Sequence, residues 1–222
     1  LVYGGEKSVR IRFGKRRKAA RRNVKDRKNF QKAEFAMLTK EEYADGVRYM
    51  LKSLADAGFY LTEEEKERIE VADFGLGKVK EIGLQLFTYV NTDRCCAKEM
   101  VLRPFQTCPE HTHRDGREDG ALVQGKEETF RVRRGLCYLY VDGEGDKATI
   151  KAKLPETAVT VFHEIVLREG EQYTMYPNTR HWFQAGAEGA VISEFSTHSN
   201  DETDDFEDAR IRRIPEVEKI CL

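Results

Sequence analysis

The chain has 222 residues, enough to bury a full core in one main domain. Its net charge of −1 hides an asymmetry: residues 1–36 hold thirteen Lys/Arg against three Asp/Glu, a local +10, and the remainder is acidic at −11. No apolar run nears the ~20 residues that span a bilayer, the basic front lacks a secretory apolar stretch, and five cysteines without a C-x-x-C pair fit neither a disulfide framework nor a zinc ribbon, so a soluble cytoplasmic protein is expected.

Residues 1–36, centred on "GKRRKAARRNVKDRK", are expected to be a basic extension, disordered or upstream of the natural reading frame. Nucleic-acid binding by this stretch is a minor alternative. Residues 37–70 read as a helical segment. Thr39 with Glu42 has capping-box spacing, Tyr43, Val47, Met50, Leu51 and Leu54 recur at three- and four-residue intervals, and Gly58 is a stop. Thr62 with Glu65 begins a second, short helix ending near Ile69, after which the glycines of "DFGLGK" break the period. Strands are expected at Leu84–Val90, Cys95–Leu102, Thr129–Arg134, Leu136–Asp142, Val159–Leu167, Gln172–Tyr176 and Ala190–Ser196. Such short, turn-separated strands argue for a mainly β sandwich or barrel over residues 71–212. The acidic run "NDETDDFEDAR" reads as a solvated loop, and 213–222 as a C-terminal tail.

The chemistry centres on His111 and His113 in "CPEHTHRDG". Residues two apart on a strand face the same way, so two imidazoles converge as they do on a divalent metal. A solvated pair beside a turn is the plain alternative. Glu128 and His181 complete a mixed set of imidazole nitrogens and one carboxylate, suited to Mn, Fe, Co, Ni or Zn. Glu118, five residues after His113, is the rival carboxylate.

Here the chain resembles the cupin superfamily, whose motifs run G-x5-H-x-H, a short spacer, E-x6-G, and later G-x5-P-x-G-x2-H-x3-N. His111, His113, Glu128 and Gly135 match the first, although Phe105 replaces its leading glycine and fourteen residues fill the spacer. The second keeps its spacing from Gly170 through His181, with Tyr176, Asn178 and Ala185 replacing Pro, Gly and Asn. The stretches "GLQLFTYVNTDR", "KEMVLRPFQTCPEH", "GKEETFRVRRGLCYLYVDGE" and "PNTRHWFQAGAEGAVISEFST" together resemble the D-lyxose isomerases of the short, cupin type, over roughly residues 37–212. That resemblance implies a jelly-roll-like cupin β-barrel, a Mn²⁺-preferring site that interconverts D-lyxose and D-xylulose, and often D-mannose and D-fructose, and a homodimer. It places metal ligands at His111, His113, Glu128 and His181, pocket lysines at Lys98 and Lys126, and a late carboxylate at Glu194.

The residues themselves agree. Lys126 and Glu128 share a strand face, and an interior lysine is costly unless paired. Lys98 alternates with Glu99, so one of the two faces inward. Glu194 lies in an apolar strand, where burial suits a general base. Trp182, Phe183 and Phe130 read as core, and His163 and His198 as bystanders. The expected reaction is proton transfer between C2 and C1 through a cis-enediol whose O1 and O2 the cation chelates. Glu194 is the base and the lysines stabilise oxyanions; a hydride shift would use the same ligands. A phosphosugar isomerase reading phosphate through Arg131, Arg133 and Arg134, an iron dioxygenase, and a noncatalytic sugar-binding cupin are the alternatives.

Overall fold

A computed structural model describes residues 37–118, 121–214 and 216–217, so residues 1–36, the Glu118 side chain and most of the tail lie outside the described residues. Thr39 caps α1 (Lys40–Asp56) as its spacing predicts. Its hydroxyl accepts from Glu42 N at 3.1 Å, and the Glu42 carboxylate accepts from Thr39 N at 3.0 Å. Met50 and Leu54 of α1 pack with Phe87, Val101 and Val191 on the outer face of a sheet. Thr62 caps α2 (Glu63–Lys66) the same way, but the helix stops before Ile69 because the chain turns there into β1 (Glu70–Ala72).

The remaining strands are β2 (Leu84–Asn91), β3 (Cys96–Leu102), β4 (Thr107–Thr112), β5 (Gly116–Glu118), β6 (Ala121–Val123), β7 (Glu128–Val141), β8 (His163–Arg168), β9 (Gln172–Met175), β10 (Arg180–Ser196) and β11 (Asp205–Phe206). The long β10 is the common wall of a cupin-type β-barrel. Its first residues pair with β4, its last with β3, and both halves pair with β7 on the other side. Inward-facing Met100, Leu102, Phe130, Leu139, Phe183 and Ile192 belong to the core. Among the described residues no helix is long and apolar enough to cross a membrane, and Cys95, Cys96, Cys108 and Cys137 are free thiols.

Four strand expectations need correction. Thr129–Arg134 and Leu136–Asp142 are halves of β7, because Gly135 (φ 79°) lets one strand bend past Gly189 without ending. Ala190–Ser196 is only the second half of β10, whose register jumps between Ala185 and Ala190. Val159–Leu167 shortens to β8, since Thr160 N and Val161 N donate to the buried Glu110 carboxylate instead of to a neighbouring strand.

The fourteen-residue spacer forms the β5–β6 hairpin and rejoins the barrel through Gly125. A Cβ at Gly125 would lie 2.0 Å from the His113 carbonyl oxygen and 3.0 Å from the Arg114 carbonyl carbon, both backbone atoms. Gly125→Ala should therefore cost about 1–3 kcal/mol in denaturant unfolding. Gly116→Ala, with nothing within 4 Å, should stay within about 0.5 kcal/mol.

Candidate metal centre

The alternation of β4 carries one residue past its end, so His111 and His113 both reach the barrel interior with ring centroids 4.9 Å apart. Register places His181 of β10 opposite His111, at 4.2 Å between rings. The ligating atoms of the three buried imidazoles lie within 4.8 Å of one another. Asn178 (φ 67°) and Phe105 (φ 60°) keep a left-handed backbone where the cupin pattern has glycine. Asn178 N donates to the His113 carbonyl at 3.0 Å, which ties the turn before His181 to the end of β4.

Tautomers follow from acceptors. Nδ1 of His111 lies 2.8 Å from the Pro109 carbonyl and Nδ1 of His181 lies 3.1 Å from the Thr179 carbonyl. A carbonyl only accepts, so both Nδ1 atoms carry a proton, and Nε2 is the atom each ring turns to the interior. Nδ1 of His113 meets Asp204 Oδ1 at 2.6 Å. Glu128 Oε1 comes within 3.3 Å of His113 Nε2 and 3.0 Å of His181 Nε2. These approaches are poorly directed, and all three buried atoms lack a hydrogen-bond partner. Orphaned buried polar atoms cost about 1–3 kcal/mol each. One divalent cation between them would satisfy every one, so the residues fit the metal that the donor set implies.

Electrostatics point the same way. Burial, helped by His181 and His113, holds His111 well below its ordinary value and keeps it neutral. Burial and Lys126 also push His113 down, yet the Glu128 and Asp204 carboxylates outweigh them and raise it to about 9. Burial lifts Glu128, but Lys126 and His113 override it and the carboxyl stays ionised well below its usual range.

Lys98 faces inward: its Nζ donates to Ser199 Oγ at 2.9 Å and to both Asp201 oxygens at 2.9 and 2.8 Å, and lies 3.8 Å from Glu194. Glu99 points to the outer face, where Ser193 Oγ donates to it at 2.7 Å. Lys126 bridges Glu128 Oε2 at 2.8 Å and Glu194 Oε1 at 3.0 Å. Burial alone would depress both lysines; the carboxylates, Glu194 for Lys98 and Glu128 for Lys126 foremost, reverse that and keep them charged. His111, Lys98, Lys126, Glu128, Glu194 and Asp201 line a cavity with about 30 Å³ of free space. An adjoining basin of about 330 Å³ shares Lys98, Asp201 and Arg213 with it.

The acidic run is the solvated loop expected only in part: Glu202, Asp205 and Glu207 are exposed, but three other carboxylates turn inward. Asp201 faces Lys98 and Arg213, Asp204 is 6% exposed against His113, and Asp208 accepts from Ala158 N at 3.0 Å. Each of these carboxylates is buried or half-buried because a donor or cation meets it. Arg213, placed by sequence in the tail, also pairs with Glu70. Asp201, Asp204 and Arg213 escaped the sequence reading; the only signal was that two interior lysines need counter-charges. Arg133 donates to Ser193 and Arg134 pairs with Asp56, so neither arginine lines the cavity. Trp182 is core, stacked on Tyr140 at 4.1 Å. His163 and His198 are exposed and bond backbone carbonyls.

The family model for D-lyxose isomerase matches residues 25–220. The D-lyxose/D-mannose isomerase of Thermosediminibacter oceani is 54% identical over 186 residues, covering 82% of this chain and 99% of its own. The D-lyxose ketol-isomerase of Cohnella laeviribosi is 55% identical over 165 residues, covering 73% and 88%. Among solved structures, the L-ribose isomerase of Acinetobacter sp. DL28 superposes with a TM-score of 0.62 at 16% identity, covering 84% of this chain and 100% of that one. That of Cellulomonas parahominis gives 0.61 at 17%, covering 83% and 100%. At such identities the likeness is one of fold.

Lys126→Met would leave Glu128 and Glu194 without the cation between them. The metal-free protein should lose about 3–5 kcal/mol in denaturant unfolding, and adding Glu194→Gln should restore part of it.

Proposed function

The chain belongs to the D-lyxose isomerase family, and we propose on that basis that it interconverts D-lyxose with D-xylulose, and D-mannose with D-fructose, at a divalent metal held by His111, His113, Glu128 and His181. The observation that carries this reading is the meeting of orphaned Nε2 and Oε1 atoms beside a carboxylate, Glu194, that a buried lysine holds in place. Mn²⁺ is the cation we favour, with Co²⁺, Zn²⁺ or Fe²⁺ as substitutes, because imidazoles with one carboxylate leave positions for two sugar oxygens. When bound, such a cation supplies Lewis acidity that lowers the energy of negative charge on O1 and O2.

Glu194 takes the proton from C2 of the aldose and returns it to C1, passing through a cis-enediol, while the O2 proton moves to O1. Lys126 and Ser196 both donate to Oε1 of Glu194, which leaves Oε2 for the C2 proton. Lys98 and Lys126 stabilise the negative charge that develops on the sugar oxygens. Lys98, Asp201 and Arg213 line both this cavity and the adjoining basin, which gives a sugar a route toward Glu194. The outward Arg133 and Arg134 disfavour a phosphosugar substrate, and the lysine–carboxylate pair disfavours a noncatalytic sugar binder. The exposed strip of Tyr89, Val90 and Phe195 favours a homodimer, and we place the enzyme in the cytoplasm.

Chelation should abolish D-xylulose formation from D-lyxose, and Mn²⁺ should restore it; turnover by metal-free protein at the loaded rate would contradict the mechanism. Glu194→Gln should lower kcat by about 10²–10⁴-fold with Mn²⁺ still bound. Solvent deuterium should enter C1 of the ketose.

A further inference from the structure

The three imidazoles are not held alike. His111 and His181 each bond the backbone carbonyl two residues earlier, Pro109 and Thr179, so their ring orientations are fixed by their own stretch of backbone. His113 stands past the end of β4, and its Nδ1 bonds a side chain 91 residues downstream, Asp204 Oδ1 at 2.6 Å. Asp204 directly precedes β11, where Asp205 pairs with Thr112 and Phe206 with His111. The Phe206 ring lies 5.4 Å from the His111 ring. This short strand thus reaches the His-Thr-His segment twice, through its ladder and through Asp204.

We propose that Asp204 is the positioning residue of the metal centre: it fixes the His113 ring so that Nε2 faces the other ligands, and its negative charge strengthens that nitrogen as a donor. The role rests on the metal site proposed above. A carboxylate behind a ligating imidazole typically contributes 10–100-fold in metal affinity. The carbonyls behind His111 and His181 lack its full charge, so His113 is the ligand most dependent on a separate segment of the chain.

The test reads Mn²⁺ binding to the chelated full-length protein by competition with a chromophoric chelator, not turnover. Asp204→Ala should weaken binding about 10–100-fold. Asp204→Asn, which keeps size and an accepting oxygen but no charge, should fall between it and wild type. The d–d absorption of Co²⁺-loaded Asp204→Asn should shift from wild type. Asp208→Asn, on the same acidic segment but bonded to Arg210 and Ala158, should bind as wild type. Wild-type affinity and spectrum in both Asp204 variants, with binding lost in His113→Ala, would overturn the role of Asp204 alone. Wild-type protein that binds no Mn²⁺, or His181→Ala that binds it fully, would overturn the metal centre itself and this role with it.

Discussion

The ammonium of Lys126, set between Glu128 and Glu194, is the contact on which the rest of the interior depends. An isolated charge in a barrel core costs several kcal/mol, and breaking one buried pair leaves its partner stranded. Glu128 turns one oxygen to Lys126 and the other toward His113 and His181, so the carboxylate cannot rotate without losing one side. Glu194 is held from the same nitrogen. The candidate metal centre and the carboxylate proposed to move protons are therefore parts of one electrostatic unit, extended by Asp201 to Lys98 and Arg213.

Period-two alternation made much of this legible. It set His111 with His113, Lys126 with Glu128, and Lys98 with Met100, and each pair lies on the inner face. Capping-box spacing located both helix starts. The cupin likeness supplied what periodicity has no means to give: that His181 and Glu128, distant in sequence, meet the His-Thr-His pair.

Two kinds of feature were illegible, for different reasons. Strand lengths failed at β7 and β10 because a bend at glycine normally marks an end. Gly135 instead passes the Gly189 carbonyl too closely for any Cβ, and Gly189 passes the Leu102 carbonyl in the same way, which lets both strands continue. The acidic run was read only in part, because composition predicts exposure only for charges without partners. Asp201, Asp204 and Asp208 each find a cation or donor from another part of the chain, and nothing local announces it.

The long spacer between His113 and Glu128 shows why departures from a family pattern need not move a site. Its hairpin is closed at the base, where Gly125 N donates to Asp115 Oδ1 at 2.8 Å and Asn178 Oδ1 accepts from Asp115 N at 2.9 Å. Glu128 is then placed by its ladder, opposite Ser196 on β10 and Met175 on β9, not by the number of residues before it. Lengthening a surface loop costs only about 0.6 kcal/mol per doubling, far less than breaking that register or the Lys126 pair. A spacer of three residues or fourteen delivers the same carboxylate to the same two imidazoles. Spacing rules in such motifs hold within a strand, where geometry enforces them, and lapse between strands, where the ladder takes over.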